Sequence, residues 1–150
     1  MLRSACPAGT RFARKDGVEC GIAGRALTYN VEDQLLSVGS TTYQYDTDGF
    51  LSRKTDGLSI TTYTYSSRGE LSKASLSDGR VIEYVYDPLG RRIAKKINGS
   101  VVEKYLWSGL TRLLAVYDGS NNLLMRFEYS DGRVPTVMTK GSETYYLTYD

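Results

Sequence analysis

From about residue 25 onward, apolar and polar residues alternate over short stretches, with Thr, Val, Ile, Tyr and Leu supplying most of the apolar beat. A period of two marks half-buried strands, because successive strand side chains point to opposite faces. Turn pairs break the runs: Asp48-Gly49, Asp56-Gly57, Arg68-Gly69, Asp78-Gly79, Leu89-Gly90, Asn98-Gly99, Asp118-Gly119 and Asp131-Gly132. Asn-Gly and Asp-Gly favour the positive φ of tight hairpins. The breaks recur about every ten residues, so a unit of two strands and two turns is predicted, a hairpin repeat. No segment sustains a 3.6-residue period, and glycine is too frequent for long helices. Strand is expected over more than half of residues 40–150, with no helix beyond about two turns.

A second pattern rides on the first, reading aromatic-x-aromatic-polar. It appears as Tyr43-Gln44-Tyr45-Asp46, Tyr63-Thr64-Tyr65-Ser66 and Tyr84-Val85-Tyr86-Asp87, then as Tyr105-Leu106-Trp107-Ser108, Phe127-Glu128-Tyr129-Ser130 and Leu147-Thr148-Tyr149-Asp150. Leu27-Thr28-Tyr29-Asn30 is a looser first copy. The second aromatic stands at 29, 45, 65, 86, 107, 129 and 149, in steps of 16, 20, 21, 21, 22 and 20. A fixed period near twenty means a repeat array, in which no unit buries its apolar face alone and neighbours must stack.

Within the unit from Val81 to Ser100, Ile82, Tyr84 and Tyr86 share one face. Asp87-Pro88-Leu89-Gly90 forms the turn: Asp87 accepts from backbone amides, Pro88 fixes φ, and Gly90 supplies the unusual conformation. On the return strand Ile93 and Ile97 are expected on one face, with Arg92, Ala94 and Lys96 on the other. The tyrosine ladder reads first as structural glue, since cross-strand aromatic pairs stabilise sheets. An exposed ladder would instead offer a stacking platform. The repeat-defining positions are Tyr45, Asp46, Gly49, Tyr65, Gly69, Tyr86, Asp87, Gly90, Trp107, Tyr129 and Tyr149.

Residues 1–24 differ. They carry Pro7, Cys6, Cys20 and a charged stretch from Arg11 to Gly17 without alternation. They are expected to be an N-terminal leader or linker, partly disordered, ahead of an array over 25–150 that is truncated where Tyr149-Asp150 opens a turn. Cys6 and Cys20 either close a short disulfide loop or remain free thiols, and spacing does not decide between them.

Composition narrows the functional classes. The chain has 150 residues, 41% hydrophobic, with thirteen Tyr and a net charge of +2. The charges are mixed, which argues against a nucleic-acid binder. No apolar run is long enough for a membrane span, and the first residues lack the apolar core of a signal peptide. There is no His, hence no Ser-His-Asp or Cys-His arrangement and no ligand set for zinc. No cofactor, metal or catalytic residue is expected. Glu83, Asp87 and Glu103 are the carboxylates weighed as an acid–base pair, and solvated strand charges are the simpler reading. Arg91, Arg92, Lys95 and Lys96 form the densest basic cluster, read as a snorkelling solvent edge rather than a phosphate site.

The segments Tyr45-Asp46-Thr47-Asp48-Gly49-Phe50-Leu51 and Tyr86-Asp87-Pro88-Leu89-Gly90-Arg91-Arg92-Ile93 resemble YD repeats. These are the hairpins of Rhs (rearrangement hotspot) proteins, of toxin-complex B and C components and of teneurins. The order Tyr105-Leu106-Trp107, Leu113 to Asp118, Leu123 to Tyr129, Gly132 to Pro135 and Tyr145 to Leu147 is similar to the C-terminal part of an Rhs core. The resemblance spans roughly residues 25–150. It implies an all-β fold of tandem hairpins in a curved, spiralling antiparallel sheet, a segment of a shell. It implies a structural role in encapsulating or presenting a toxin or effector domain of a larger bacterial protein, secreted or at the cell surface. The implied partners are other repeat segments of the parent chain and the enclosed domain, with edge-to-edge self-association in isolation. The family's terminal self-cleaving segment is not matched, and Asp87-Pro88-Leu89-Gly90 fits a repeat turn. Two alternatives remain open: a carbohydrate-binding surface module using exposed Tyr and Trp, and a non-functional remnant of a larger Rhs protein.

Overall fold

A computed structural model describes the backbone of residues 14–15 and 18–20 and residues 26–149 in full. The Cys6–Cys20 question and most of the expected leader lie outside the described residues. The chain divides into two compact units, Met1–Tyr63 and Thr64–Asp150. All regular structure among the described residues is β.

The first unit contains β1 (Arg14–Lys15), β2 (Val18–Cys20), β3 (Ala26–Tyr29), β4 (Leu35–Val38), β5 (Thr41–Tyr45), β6 (Leu51–Asp56) and most of β7 (Ser59–Tyr65). The second contains β8 (Leu71–Ser75), β9 (Val81–Tyr86), β10 (Arg92–Ile97), β11 (Ser100–Ser108), β12 (Arg112–Asp118), β13 (Leu123–Glu128), β14 (Val137–Lys140) and β15 (Glu143–Tyr146). Within each unit strand order follows chain order, and each strand pairs antiparallel with the next. The stretch before residue 25 contributes the β1–β2 hairpin, which pairs onto β3 through Val18↔Thr28.

Two kinds of turn recur. The longer kind is a five-residue frame. At Asp87 the amide of residue one donates to the carbonyl of residue five (Asp87 to Arg91, 3.0 Å), and the amide of residue four donates to residue one (Gly90 to Asp87, 3.0 Å). The same two bonds recur at Asn30, Asp46, Ser66, Leu76 and Asp118. Residue four has positive φ each time: Asp33, Gly49, Gly69, Gly79, Gly90 and Asn121. In every frame but that of Leu76, a side-chain oxygen at residue one accepts the amides of residues three and five, as Asp87 Oδ1 does from Leu89 (2.9 Å) and Arg91 (3.0 Å). This is the Asx-type local bonding that makes Asp, Asn and Ser good turn openers. The shorter kind joins strands through two residues, as at Asn98-Gly99, where both have positive φ.

The Asp118-Gly119 turn departs from expectation. Gly119 is not at positive φ; Asn121 is, at 71°. Asp118 opens a five-residue frame there, so the left-handed position falls at the fourth residue rather than directly after the aspartate. Gly119 serves a different need, since a Cβ on it would stand 2.1 Å from the Val101 carbonyl oxygen.

A register shift stands beside the turn in five hairpins, four of them closed by the longer turn and one, β11–β12, not. Thr28 pairs with Ser37 but Tyr29 with Leu35; Gln44 with Arg53 but Tyr45 with Leu51; Val85 with Ala94 but Tyr86 with Arg92; Leu106 with Ala115 but Trp107 with Leu113; Val116 with Met125 but Tyr117 with Leu123. Each is a bulge that leaves one extra residue on the return strand: Leu36, Ser52, Ile93, Leu114 or Leu124. It falls at the second aromatic in all but β12–β13, where it falls at Tyr117. The bulge also corrects the face assignment of β10. Directly paired residues share a face, so Arg92, Lys95 and Ile97 join Tyr86, Tyr84 and Ile82, while Ala94 and Lys96 lie opposite with Val85 and Glu83.

Burial is shallow. Among the described residues only Ala74, Ala115 and Val116 are buried hydrophobics, with Val116 at 2% exposure. The aromatics are mostly half-buried, as at Tyr43, Tyr45, Tyr84, Tyr86, Tyr105, Trp107 and Tyr129. Area is removed from water strand by strand, which is how a repeat array without a central core is stabilised.

Candidate functional site

The second aromatic of five units does one repeated job. Tyr45 Oη donates to the Leu35 carbonyl, Tyr86 Oη to Leu71, Tyr129 Oη to Leu113 and Tyr149 Oη to Pro135, each at 2.9 Å. Trp107 Nε1 makes the equivalent bond to the Arg92 carbonyl at 2.8 Å. In three cases the acceptor, Leu35, Arg92 or Leu113, is the residue just before a bulge in the preceding hairpin. The bulge disrupts the ladder locally, and the donor from the next unit satisfies the carbonyl beside it. The sequence carries the signal. Position two is always Tyr or Trp, which own a donor, whereas position one admits Leu27, Phe127 and Leu147.

The repeat-defining residues therefore fall into three places. Tyr45, Tyr86, Trp107, Tyr129 and Tyr149 are the reaching donors. Tyr65 ends β7 and is half-buried. Asp46 and Asp87 open turns, and Gly49, Gly69 and Gly90 hold their positive-φ residue.

Around Tyr86 and Trp107 the aromatic face acquires charge. The Arg92 guanidinium lies over the Tyr84 ring, 4.0 Å from its centroid, and 5.9 Å from that of Tyr86. Lys95 Nζ bonds Glu103 Oε1 at 3.2 Å, and Tyr105 Oη donates to Glu103 Oε2. Burial pushes the Glu103 carboxyl up, but the bonds from Tyr105 and Lys95 and the charges of Lys95 and Arg92 outweigh it, leaving it below its ordinary value. Burial, followed by the Glu103 carboxylate, pushes the Tyr105 phenol up to about 12. Burial pulls Arg92 down, but Tyr86, Tyr84 and Tyr105 outweigh it and hold it above its ordinary value.

The basic cluster is thus not a solvent edge. Arg91 folds back on Asp87 (2.6 Å) and donates to the Gly109 carbonyl; Arg92 and Lys95 lie on the aromatic face. The turn and the bulge, rather than simple alternation, place them. The weighed carboxylates are also kept apart: Glu83 lies opposite Lys96 and Lys73, away from the face of Glu103, while Asp87 is spent in its turn. Burial pushes Asp87 up, but Arg91 and the amides of Arg91 and Leu89 outweigh it and hold the carboxyl below its usual range. Among the described residues no cluster of three or more metal-type ligands occurs.

Between the turns at Asp87 and Gly109 lies an open hollow of about 450 Å³. Tyr86, Tyr105, Trp107 and Arg92 line it, with Leu89 and Leu110 at its margins.

A repeated hairpin, tied to its predecessor by an aromatic donor, defines a β-hairpin repeat protein. The sequence family described as Teneurin YD-shell matches residues 20–150, and the chain belongs to it. It is 28% identical to human Teneurin-1 over 129 residues, covering 83% of this chain and 5% of that protein. It is 26% identical over 125 residues to the tRNA3(Ser)-specific nuclease WapA of Bacillus spizizenii, covering 82% of this chain and 5% of that protein. The fold matches a chain of the Photorhabdus luminescens Tc holotoxin pore with a TM-score of 0.59 at 17% identity, covering 86% of this chain and 9% of the other. The chain thus spans under a tenth of the length of each of these proteins.

Proposed function

We propose that the chain is a structural segment of a YD/Rhs shell, which encapsulates or presents a toxin or effector domain of a longer bacterial polypeptide and performs no catalysis. The repeat-defining residues act as structural elements of the array rather than as a binding stripe. The supporting observation is the spending of the second-aromatic donors on carbonyls of the preceding hairpin. A platform that stacks sugar rings would keep those donors for ligand. The nuclease activity in the name of WapA belongs to that protein, of which this chain covers 5%.

Tyr146 in β15 is 81% exposed and Tyr149 59% exposed, aromatic surface that a second copy of the chain could cover. In this reading the array works outside the cytoplasm, secreted or at the cell surface.

Light scattering over a concentration series tests the proposal. The isolated chain should associate edge to edge, and Tyr146→Lys should reduce that association by placing a charge on that surface. A strictly monomeric chain that binds saccharide through an exposed Trp107 would favour the carbohydrate-binding module instead.

A further inference from the structure

The hollow beside Trp107 has a chemistry that a wall segment does not require. Tyr86 Oη is spent on Leu71, Tyr105 Oη on Glu103 and the Trp107 indole N–H on Arg92. The rings therefore face the hollow as apolar surface without free donors of their own. Leu89 and Leu110, 61% and 65% exposed on the two flanking turns, extend that surface outward.

Arg92 is the exception. Its Nε is buried without a hydrogen-bond partner, its Nη2 makes a 3.5 Å contact with Tyr86 Oη, and its guanidinium lies on the Tyr84 ring and interacts with Tyr105. The Glu103 carboxylate feels its charge, yet both oxygens of Glu103 are bonded elsewhere, to Lys95 and Tyr105. Arg91 also lines the hollow, but its charge is matched by Asp87. One guanidinium without a direct ion pair, in an aromatic and aliphatic hollow, is complementary to one carboxylate attached to an apolar body. A saccharide needs several hydrogen-bond partners, and these rings have none to give.

We propose that this hollow is a docking site for a peptide segment in which an acidic side chain adjoins an apolar one. The carboxylate pairs with Arg92, and the apolar side chain rests on Trp107 between Leu89 and Leu110. The site stands on the second unit alone and does not depend on what a shell would enclose.

Trp107 is the single tryptophan of the chain, so its fluorescence reports the hollow directly. The intact protein is titrated with N-acetyl-Glu-Leu amide, with N-acetyl-Gln-Leu amide and with a glucuronic-acid disaccharide. The Glu peptide should give a saturable change, and the Gln peptide should bind at least about tenfold more weakly, the worth of one charge-assisted pair. Arg92→Gln should erase that preference and Arg92→Lys should restore part of it. Leu110→Ser, on an exposed turn, should weaken binding several-fold while the urea midpoint stays put, so the test survives if Arg92→Gln unfolds the unit. No saturable response to the Glu peptide, equal affinity for the Gln peptide, or a response to the disaccharide alone would each overturn the proposal.

Discussion

Removing one hydroxyl isolates the tie between hairpins. In Tyr86→Phe the ring stays in place on the aromatic face while the 2.9 Å bond to the Leu71 carbonyl is lost. A typical intramolecular hydrogen bond contributes about 0.5–1.5 kcal/mol net, and an orphaned buried acceptor costs about 1–3 kcal/mol. This site is part-buried, so water reaches the carbonyl and a loss near 1 kcal/mol is expected. Tyr84→Phe is the control two residues away. The Tyr84 hydroxyl makes no hydrogen bond among the described residues, and the ring that carries Arg92 is kept, so less than about 0.5 kcal/mol should be lost. Tyr129→Phe removes the equivalent bond to Leu113. It lies four strands from Tyr86, roughly 19 Å at normal strand spacing, so the two losses should add to about 2 kcal/mol. Urea unfolding followed by Trp107 fluorescence reads all four proteins. Tyr86→Phe at wild-type stability, or Tyr84→Phe costing as much, would refute the tie as the reason for the second aromatic.

Gly119→Ala should cost well over 1 kcal/mol and disturb β11, because the added methyl meets the Val101 carbonyl; Gly79→Ala, which meets nothing within 4 Å, should cost only about 1 kcal/mol for its positive φ. Asp87 is held below the usual carboxylate range, so its contribution is complete above about pH 4 and is lost as pH falls further; Asp87→Asn should flatten the acid limb of a stability-versus-pH curve. Tyr105 behaves in the opposite sense: the fold holds its proton, so stability should fall as pH rises from about 10 to about 12. Tyr145 is also raised, by Glu143, so absorbance titration should show more than one late tyrosine, and Glu103→Gln should shift only that of Tyr105 earlier.

Repeat length, hairpin character and most turn sites were legible because each rests on local chemistry. Asp87 accepts from its own turn for the same reason that aspartate opens turns in general. The bulges were not legible. Alternation assumes an unbroken period of two, and one inserted residue at Ile93 moves Arg92 onto the aromatic face. Leu36, Ser52 and Leu114 share no side-chain type with Ile93, so nothing in their identity announces the insertion. Gly119 misled because a close approach to Val101 and a positive φ both select glycine, and only coordinates separate the two causes. The donor at position two was visible in principle, but its meaning required knowing that a carbonyl waits beside the previous bulge.

The ties also have a direction. Each donor reaches backward, across 10 residues at Tyr45, 15 at Tyr86 and Trp107, 16 at Tyr129 and 14 at Tyr149. A hairpin can therefore lock onto its predecessor as soon as it has emerged from the ribosome, with only a short loop to close. Contacts this local favour fast folding despite the all-β architecture. Each unit fastens to a platform that is already formed and presents a fresh carbonyl to the one behind it, so vectorial synthesis and the order of assembly coincide.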